Sequence, residues 1–396
     1  MMFRVIVVFL LGLCWTTSWS QGKQQSGKAI RESIVFKNGE SGYKCFRIPV
    51  IVTAPNGDLL AFAEGRRNNC SDFGDVDIVL KRSRNNGVSW DALQLVVDFD
   101  TMQAGNPAPV FDLTDPRFPK GRLYLFYNTG ITSEGNVRNG KAIREIWYKT
   151  STDGGSTWSE AVNISTSVSR PNKPEVNPLY AFPEDWRSYA TTPGHALQIR
   201  KGPHAGRIFV AANHSEGPPQ PAFREYRAHG FYSDDHGQSW KLAPNISYPG
   251  GNESMAAELP GGGLILNIRN QSGDAKYRLL AFSSSAGEKW DTLVVATALP
   301  DPVCQGSIVN YTTPSGKNAL LVSNLDSQTK REKLTIRISY DNGKTWTPGK
   351  LIYAGSAAYS DLAIQRNKQV GVLYERENYT EIVYCSMPYK WLGEQL

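Results

Sequence analysis

This chain of 396 residues contains few histidines and cysteines and no long run of basic residues, which argues against several classes of protein. The five histidines are scattered and no H-E-x-x-H motif occurs, so neither a zinc site nor any other cofactor is predicted. Lys and Arg number 43 against 37 Asp and Glu, and no run of five or six basic residues occurs. A nucleic-acid-binding protein is therefore disfavoured, whereas a small anionic ligand remains compatible with the charge.

The only long apolar run stands at the N-terminus, from Val5 to Cys14. Ser18 and Ser20 supply the small residues of a cleavage site after Ser20, so residues 1–20 are predicted to be a signal peptide. No later stretch approaches the roughly eighteen apolar residues that a transmembrane helix needs. We therefore expect a single domain over residues 21–396, secreted to the extracellular space or delivered to the lysosome.

Asparagine sequons and cysteines agree with a secretory route. Eight N-x-S/T sequons exceed the roughly three or four expected by chance, which favours a eukaryotic secreted protein. They begin at Asn69, Asn163, Asn213, Asn245, Asn252, Asn270, Asn310 and Asn378. Four cysteines follow the predicted signal peptide and allow three pairings, too few to form the main framework of the chain. These cysteines are Cys45, Cys70, Cys304 and Cys385.

A short motif, Ser-x-Asp-x-Gly-x-Thr-Trp, repeats along the chain and indicates its organisation. Complete copies begin at Ser151, Ser233 and Ser339, and degenerate copies begin at Ser83 and Ser283. Each copy follows a strand-like run and is typical of a hairpin turn, with the Trp folding back over its own hairpin. Each copy holds at most one or two carboxylates, so a structural role is preferred over a calcium site.

This spacing of strands and turns predicts an all-β fold. Each repeat contains two or more strands, and no convincing amphipathic helix separates them. A six-bladed β-propeller of four-stranded antiparallel sheets fits the length of the chain. The alternative is a pair of β-sandwiches, but the only candidate linker, residues 169–178, lies between matching repeats and indicates a long loop.

Three arginines occur in unusually apolar or strand-end contexts, and we consider them as candidate anion-binding residues. These are Arg47 in Cys-Phe-Arg-Ile-Pro, Arg269 after Leu-Ile-Leu-Asn-Ile, and Arg331 just before a predicted strand. A guanidinium among apolar neighbours needs a fixed anionic partner, and its fork geometry suits a carboxylate. Each arginine taken alone is also compatible with an ordinary surface ion pair.

The Phe46-Arg47-Ile48-Pro49 motif, followed by the repeated Ser-x-Asp-x-Gly-x-Thr-Trp motifs (called boxes below), resembles the exo-α-sialidase (neuraminidase) family of glycoside hydrolases. The resemblance extends over residues 33–384 and implies a six-bladed propeller. It implies that Arg47, Arg269 and Arg331 bind the carboxylate of the sugar and that Arg66 touches the ring substituents. It also implies an acid/base aspartate, which we place at Asp72. Asp75 is its rival, whereas Asp77 opens a strand and is better explained as a strand-end carboxylate.

The resemblance further implies a tyrosine nucleophile that is activated by a glutamate. Tyr359 matches the tyrosine, and Glu253 is preferred over Glu258 because it lies sixteen positions before Arg269. Glu375 matches the residue that supports the first arginine, although a strand-end salt bridge is nearly as good an explanation. A neutral phenol suits this substrate, because sialic acid carries a carboxylate on its anomeric carbon that would repel an Asp or Glu nucleophile.

The resulting expectation is a retaining exo-α-sialidase that releases terminal sialic acid from glycoproteins, glycolipids and oligosaccharides. The alternatives are a trans-sialidase and a catalytically inactive sialic-acid-binding propeller, because a fold alone does not determine function. If Arg47 and Asp72 reach the same sugar, Cys45 and Cys70 are close enough for a disulfide. Sequons Asn252 and Asn270 flank expected site residues and are predicted to carry no glycan.

Overall fold

The computed structural model describes residues 30–393, in which almost all regular structure is strand. The predicted signal peptide lies outside the described residues. The strands are β1 (Arg31–Lys37), β2 (Cys45–Thr53), β3 (Leu59–Arg66), β4 (Val76–Ser83), β5 (Gln94–Val97), β6 (Gln103–Asp112), β7 (Arg122–Gly130), β8 (Arg144–Ser151), β9 (Val162–Asn163), β10 (Trp186–Thr191), β11 (Leu197–Gln198), β12 (Ile208–Glu216), β13 (Tyr226–Ser233), β14 (Lys241–Leu242), β15 (Gly251–Glu258), β16 (Leu264–Asn270), β17 (Tyr277–Ser283), β18 (Thr292–Pro300), β19 (Ser307–Thr312), β20 (Asn318–Leu325), β21 (Glu332–Ser339), β22 (Lys350–Ile364), β23 (Val370–Arg376) and β24 (Glu381–Met387).

Helices are few and short, which confirms the all-β prediction. They are α1 (Glu134–Arg138), α2 (Ser165–Val168), α3 (Tyr389–Gly393) and a 3₁₀ turn over Pro221–Phe223. Within residues 30–393, no helix has the length and apolar character needed to cross a membrane.

The strands form antiparallel sheets arranged in chain order around a ring, as in a β-propeller. Hydrogen bonds give four sheets, with strand orders β2-β3-β4-β6-β7-β8-β9, β10-β12-β13-β14, β15-β16-β17-β18 and β1-β24-β23-β22-β21-β20-β19. Strands contact one another around the ring, from β2 to β6, β11, β15, β19, β22 and back to β2. This closed ring excludes the pair of β-sandwiches.

The number of six blades stays a prediction, because continuous hydrogen bonding joins strands of neighbouring units. The long strand β22 pairs with β21 through its first half and with β23 through its second half. A single parallel pairing between Val76 and Gln103 joins β4 to β6. The ring closes through β1, which pairs with the last strand, β24. The central strands are buried on both faces, as β3 illustrates along its whole length.

The repeated motifs form the predicted hairpin turns. In the copy at Ser151, Asp153 Oδ1 accepts hydrogen bonds from the backbone N–H groups of Ser156 and Thr157, each at 2.9 Å. The Ser151 hydroxyl accepts a bond from the Gly155 N–H at 2.7 Å, and Gly155 has a φ of +92°. Local hydrogen bonding therefore determines the turn, as its composition predicts.

The motif tryptophans do more than cover their own hairpins, as Trp240 does by packing against Phe231, because they also reach the neighbouring unit. Trp158 packs edge-on against Phe62 of β3, which belongs to the preceding unit of the ring. Trp90 packs in the same manner against Tyr384 of the last strand. An indole ring offers a large apolar surface, which these contacts bury between the two units. These tryptophans therefore connect adjacent units.

One disulfide joins Cys45 to Cys70, with their Cα atoms 5.2 Å apart, and confirms the predicted bridge. It links the start of β2 to the loop between β3 and β4. Cys304 and Cys385 are buried and unpaired within the described residues. The disulfide ties down the loop that carries Asp72, which has no strand hydrogen bonds of its own.

Candidate active site

A polar cavity of about 320 Å³ opens at the centre of the ring. It is lined by side chains from distant parts of the chain, which only the closed ring brings together. Seven of the sequence-predicted site residues line it, namely Arg47, Arg66, Asp72, Glu253, Arg269, Arg331 and Tyr359. The eighth, Glu375, is fully buried directly behind the cavity wall.

Irregularities in the inner strands direct side chains into the cavity. The register of β2 shifts between Arg47 and Val50, and that of β15 shifts around Glu253. The strand β22 has a shift that includes Tyr359, and β6 has one that includes Asn106. A β-bulge turns a side chain out of the normal alternation and is common beside active sites. Repetition of this feature on several inner strands concentrates functional groups at one end of the ring.

Arg47 is held in place by strained backbone and by a buried carboxylate. The next residue, Ile48, has a φ of +59°, which is a rare conformation for a β-branched side chain. Glu375 accepts a hydrogen bond from Arg47 Nε at 2.7 Å, so the predicted contact between them is present. Glu375 also accepts hydrogen bonds from the backbone N–H groups of Ile48 and Tyr359, at 3.0 and 3.1 Å. Glu375 therefore couples the first arginine to the backbone of the candidate nucleophile.

Tyr359 and Glu253 form the predicted couple. The phenol hydroxyl of Tyr359 donates to Glu253 Oε1 at 2.6 Å, although the two residues are 106 positions apart in the chain. Arg269 Nη1 donates to Glu253 Oε2 at 2.7 Å and to the Tyr359 oxygen at 2.9 Å. One guanidinium therefore orients both members of the couple.

The phenol of Tyr359 is neutral at ordinary pH. Burial raises the pKa of Tyr359 well above its usual value of 10, and the negative charge of Glu253 raises it further. The positive charges of Arg269 and Arg331 oppose this effect. Because the neutral phenol must lose a proton to become a strong nucleophile, the hydrogen bond to Glu253 supplies a ready acceptor.

Arg331 completes a cluster of three guanidinium groups around the tyrosine. Its Nη2 donates to the carbonyl oxygen of Val303 at 2.9 Å, and its Nη1 donates to the Tyr379 hydroxyl at 3.2 Å. The guanidinium carbons of Arg47 and Arg331 lie 5.7 and 5.9 Å from the centre of the Tyr359 ring. Glu375 pairs with Arg47, and Glu253 pairs with Arg269, so two of the three positive charges are balanced. One positive charge remains to match a monoanionic ligand.

Asp72 lies at the mouth of the cavity, with 79% of its side chain exposed, and pairs with Arg66 at 2.8 Å. Arg66 is fully buried and is fixed by Glu64 at 2.7 Å and by the Cys70 carbonyl oxygen at 2.7 Å. Partial desolvation raises the pKa of Asp72, but the charges of Arg66 and Arg47 outweigh it and hold that pKa below its usual value. The carboxylate is therefore ionised in the free protein.

The residues that competed for these positions lie elsewhere. Asp75 pairs with Arg67 at 3.2 Å, and Asp77 pairs with the same arginine at 2.7 Å, and neither lines the cavity. Glu258 lies at the other end of β15 from Glu253. Its carboxylate accepts hydrogen bonds from the backbone N–H groups of Arg200 and Lys201. Geometry therefore favours Asp72 and Glu253 as the members of the site.

Several polar residues of the cavity were not found from the sequence. They are Glu64, Gln103, Asn106, Glu134, Arg144, Ser188, Asn213, Asn252 and Gln271, with Phe223 at the rim. Glu134 accepts hydrogen bonds from Tyr226 and Ser188 and lies 3.7 Å from Arg144. Glu134 stands in a short helix and the other polar residues stand within strands or next to them, so their position along the chain does not mark them as site residues. Only Asn106, before a proline, stands in a recognisable turn context.

Comparison with known proteins finds relatives over most of the chain. The BNR repeat-like domain family matches residues 57–372. A sialidase of Micromonospora viridifaciens is 31% identical over 374 residues, which is 90% of this chain and 53% of that protein. This chain therefore spans about half the length of that relative. Sialidase-2 of Cricetulus griseus is 27% identical, over 91% of this chain and 96% of its own length.

A solved structure, the Hadza microbial sialidase Hz136, superimposes with a TM-score of 0.76 at 25% identity, over 89% of this chain and 68% of that one. Fold, repeats and relatives together define a glycoside hydrolase built on a β-propeller. The chain belongs to the exo-α-sialidase family, within the BNR repeat-like group.

Proposed function

We propose that this protein is a retaining exo-α-sialidase that removes terminal sialic acid from glycoproteins, glycolipids and oligosaccharides. The observation that carries the proposal is the 2.6 Å hydrogen bond from the Tyr359 phenol to Glu253, inside a cluster of three arginines. A phenol beside a general base, facing an anion-binding cluster, suits attack on an anomeric carbon that bears a carboxylate.

The arginines bind and orient the substrate. The carboxylate of the sugar lies among Arg47, Arg269 and Arg331, where charge-assisted and two-point hydrogen bonds fix its direction. This places the anomeric carbon over the Tyr359 oxygen. The arriving anion also shares Arg269 with Glu253, so one guanidinium positions both the carboxylate of the sugar and the proton acceptor.

The first chemical step forms a covalent intermediate. The Tyr359 oxygen attacks the anomeric carbon while its proton passes to Glu253, and Asp72 protonates the departing glycosidic oxygen. Asp72 is ionised in the free protein, so it must gain a proton before this step. The bound sugar displaces water and adds a negative charge near Arg47 and Arg66, and both effects raise the pKa of Asp72 towards the range of a general acid.

The second step releases the sugar. Asp72, now deprotonated, takes a proton from a water molecule that attacks the anomeric carbon from the side vacated by the leaving group. Glu253 returns its proton to the phenolate oxygen. Two successive inversions give overall retention of configuration.

The test is release of sialic acid from a fluorogenic aryl sialoside by the purified protein. Wild type is expected to be active, and Tyr359→Phe, which removes only the nucleophilic oxygen, is expected to lose nearly all activity. Tyr353→Phe is the matched control, because Tyr353 lies outside the cavity on the same strand. An inactive wild-type protein that still binds sialic acid would favour the sialic-acid-binding propeller instead.

A trans-sialidase would transfer the sugar to another glycan in place of water. Products formed in the presence of excess lactose distinguish the two enzymes. The hydrolase yields free sialic acid, whereas the trans-sialidase yields sialylated lactose. The residues at the Tyr, Glu and Asp positions are all present, which argues against an inactive propeller.

The proposal includes a secretory location. The disulfide between Cys45 and Cys70 suits an oxidising compartment, and the predicted signal peptide would direct the chain there. Expression in animal cells with N-terminal sequencing of the secreted protein tests this. A mature protein that starts at Gln21 supports it, and an intracellular protein that retains residues 1–20 contradicts it.

A further inference from the structure

Two histidines that the proposed reaction does not use are buried beside the cavity wall. His214 of β12 and His229 of β13 are both fully buried, and their Nδ1 atoms are 3.1 Å apart. Tyr189 of β10 is the cross-strand partner of His214. The next pair along the same two strands, Ala190 and Asn213, lines the cavity. The histidine pair therefore lies one residue behind the wall.

Hydrogen bonds continue from the two rings to groups on either side. His214 Nε2 lies 3.1 Å from Glu216 Oε1, and His229 Nε2 lies 3.2 Å from the hydroxyl oxygen of Tyr189. Trp186 of β10 stacks on the His214 ring, with the ring centres 3.4 Å apart. The result is one chain of polar contacts that connects β10, β12 and β13.

The carboxylate determines the direction of this chain. A carboxylate only accepts hydrogen bonds, so His214 Nε2 carries a proton and, in the neutral ring, Nδ1 accepts. His229 Nδ1 must then donate to His214, which leaves His229 Nε2 to accept the hydroxyl proton of Tyr189. With both histidines neutral, every contact in the chain joins a donor to an acceptor.

Protons added to the pair break this pattern. With one added proton, His229 Nε2 becomes a donor whichever ring is charged, and the Tyr189 hydroxyl loses its acceptor. That hydroxyl has no other hydrogen-bond partner within residues 30–393. A second proton sets two N–H groups against each other across the 3.1 Å contact. Because a buried donor without an acceptor is costly, each proton weakens the connection between β10 and its neighbours.

The charged groups around the chain do not offset this cost. Glu216 faces the pair, but its carboxylate also accepts a hydrogen bond from Asn245 at 2.8 Å and lies 3.6 Å from Arg227. Arg170 places a second positive charge near Tyr189. A proton on the histidines is therefore added to a buried region that already has two arginines beside it.

The sign of the pH dependence follows from burial. Burial lowers the pKa of His214 well below its usual value of 6.5, and the charge of Arg227 lowers it further. Burial also lowers the pKa of His229, and a charge on His214 adds to the effect. Groups with a depressed histidine pKa bind protons more readily in the unfolded chain. Their contribution to stability is thus complete above about pH 6.5 and is lost as the pH falls below it.

We propose that Tyr189, His229, His214 and Glu216 form an acid-sensitive latch, in which protonation of the two histidines releases β10 from β12 and β13. The cavity wall that these strands carry is lost with the latch. The protein is then stable at the neutral pH of the extracellular space and unfolds in the acidic lumen of the lysosome. The latch therefore favours the first of these two destinations.

Urea unfolding between about pH 7.5 and about pH 5 tests the latch without any need for turnover. Two protons are taken up by the pair on unfolding, so the unfolding constant of the wild type is expected to rise up to about a hundredfold per pH unit below about pH 6. His214→Gln retains a donor towards Glu216, and His229→Asn retains a donor towards His214. Each variant is expected to reduce the rise to about tenfold. His204→Gln, at a partly exposed loop position, is the matched control and should retain the wild-type rise.

A variant with the same pH dependence as the wild type, or with an equal loss of stability at every pH, overturns the latch and leaves the pair as packing alone. Two measurements on the wild type need no variant to fold. Histidine ring NMR should find at least two rings that stay neutral until unfolding begins, and titration of all five rings near the ordinary pKa contradicts the proposal. Hydrogen exchange at about pH 5 should show β10 losing protection first, whereas equal loss around the ring excludes its release.

Discussion

A small set of short, buried contacts holds the candidate nucleophile and base in position. Arg269 touches both Tyr359 and Glu253, and Glu375 holds Arg47 and the backbone of Tyr359. Substitution of one member therefore alters the orientation of the others, so single-residue effects on catalysis are not additive. The most informative variants change one functional property and retain size.

Arg269→Lys tests the carboxylate-binding role. An ammonium group retains the charge but cannot make the planar two-point contact, so kcat/KM is expected to fall about ten- to a hundredfold, or about 1.5–3 kcal/mol. Steady-state kinetics on an aryl sialoside measures this. Arg84→Lys, at an exposed site outside the cavity, is the control and should leave kinetics unchanged. Full activity of Arg269→Lys would place the carboxylate elsewhere.

Arg66→Gln tests the assignment of the general acid through pH dependence. The charge of Arg66 lowers the pKa of Asp72, so the protonated acid becomes scarce as pH rises above this depressed value. Removal of that charge raises the pKa, and the alkaline decline in kcat/KM on sialyllactose is expected to begin at higher pH. Arg67→Gln is the control, because Arg67 pairs with Asp75 and Asp77 outside the cavity.

An unchanged alkaline limb in Arg66→Gln would mean that Asp72 does not control it. Thermal unfolding must accompany the profiles, because Arg66 also pairs with buried Glu64.

At the scale of elements, the turns were predictable and the bulges were not. Each box at a hairpin is closed by bonds within about five residues, so local composition is sufficient to locate it. A bulge depends on register with a neighbouring strand, which no local pattern records. For the same reason the sequence could not show that the motif tryptophans reach the adjacent unit. Glu253 and Tyr359 were identified by resemblance to a family, not by pattern.

Gly87→Ala tests the contact between adjacent units at the first box. A β-carbon there would lie 2.2 Å from the ring of Tyr384, so the two units must separate slightly. Gly39→Ala is the matched control: its φ of +87° is close to the +81° of Gly87, but its β-carbon meets nothing. We expect Gly87→Ala to lower the free energy of unfolding by about 1–3 kcal/mol more than the control does. Urea unfolding measures this, and equal losses would contradict the packing account.

At the scale of the whole molecule, ring closure makes the site. Strand β1 from the start of the domain pairs with β24 at its end, and β2 packs against β22. The cavity residues come from chain segments that are far apart, so the site exists only when the ring is closed. Propeller architecture was predictable because the repeat is strong, whereas side chains such as Glu134 and Arg144 acquire their place from the closed ring alone.

Glycan occupancy follows from the same arrangement. Asn252 and Asn270 are 9% and 1% exposed, and Asn252 lines the cavity, so neither amide can carry a glycan in the folded protein. Asn69, Asn163 and Asn378 are exposed and serve as positive controls. Peptide mapping after enzymatic deglycosylation is expected to find the first two unmodified. A glycan on Asn252 of an active protein would contradict the placement of Glu253.

The central claim is that Tyr359 is the nucleophile, and trapping of the covalent intermediate tests it most directly. A fluorinated sialosyl donor slows breakdown of the intermediate, so intact-protein mass spectrometry should show one added sugar. Peptide mapping should then place that mass on Tyr359 in the wild type, with no label in Tyr359→Phe. Label on another residue, or initial release of the inverted anomer during turnover of an ordinary sialoside, would contradict the account.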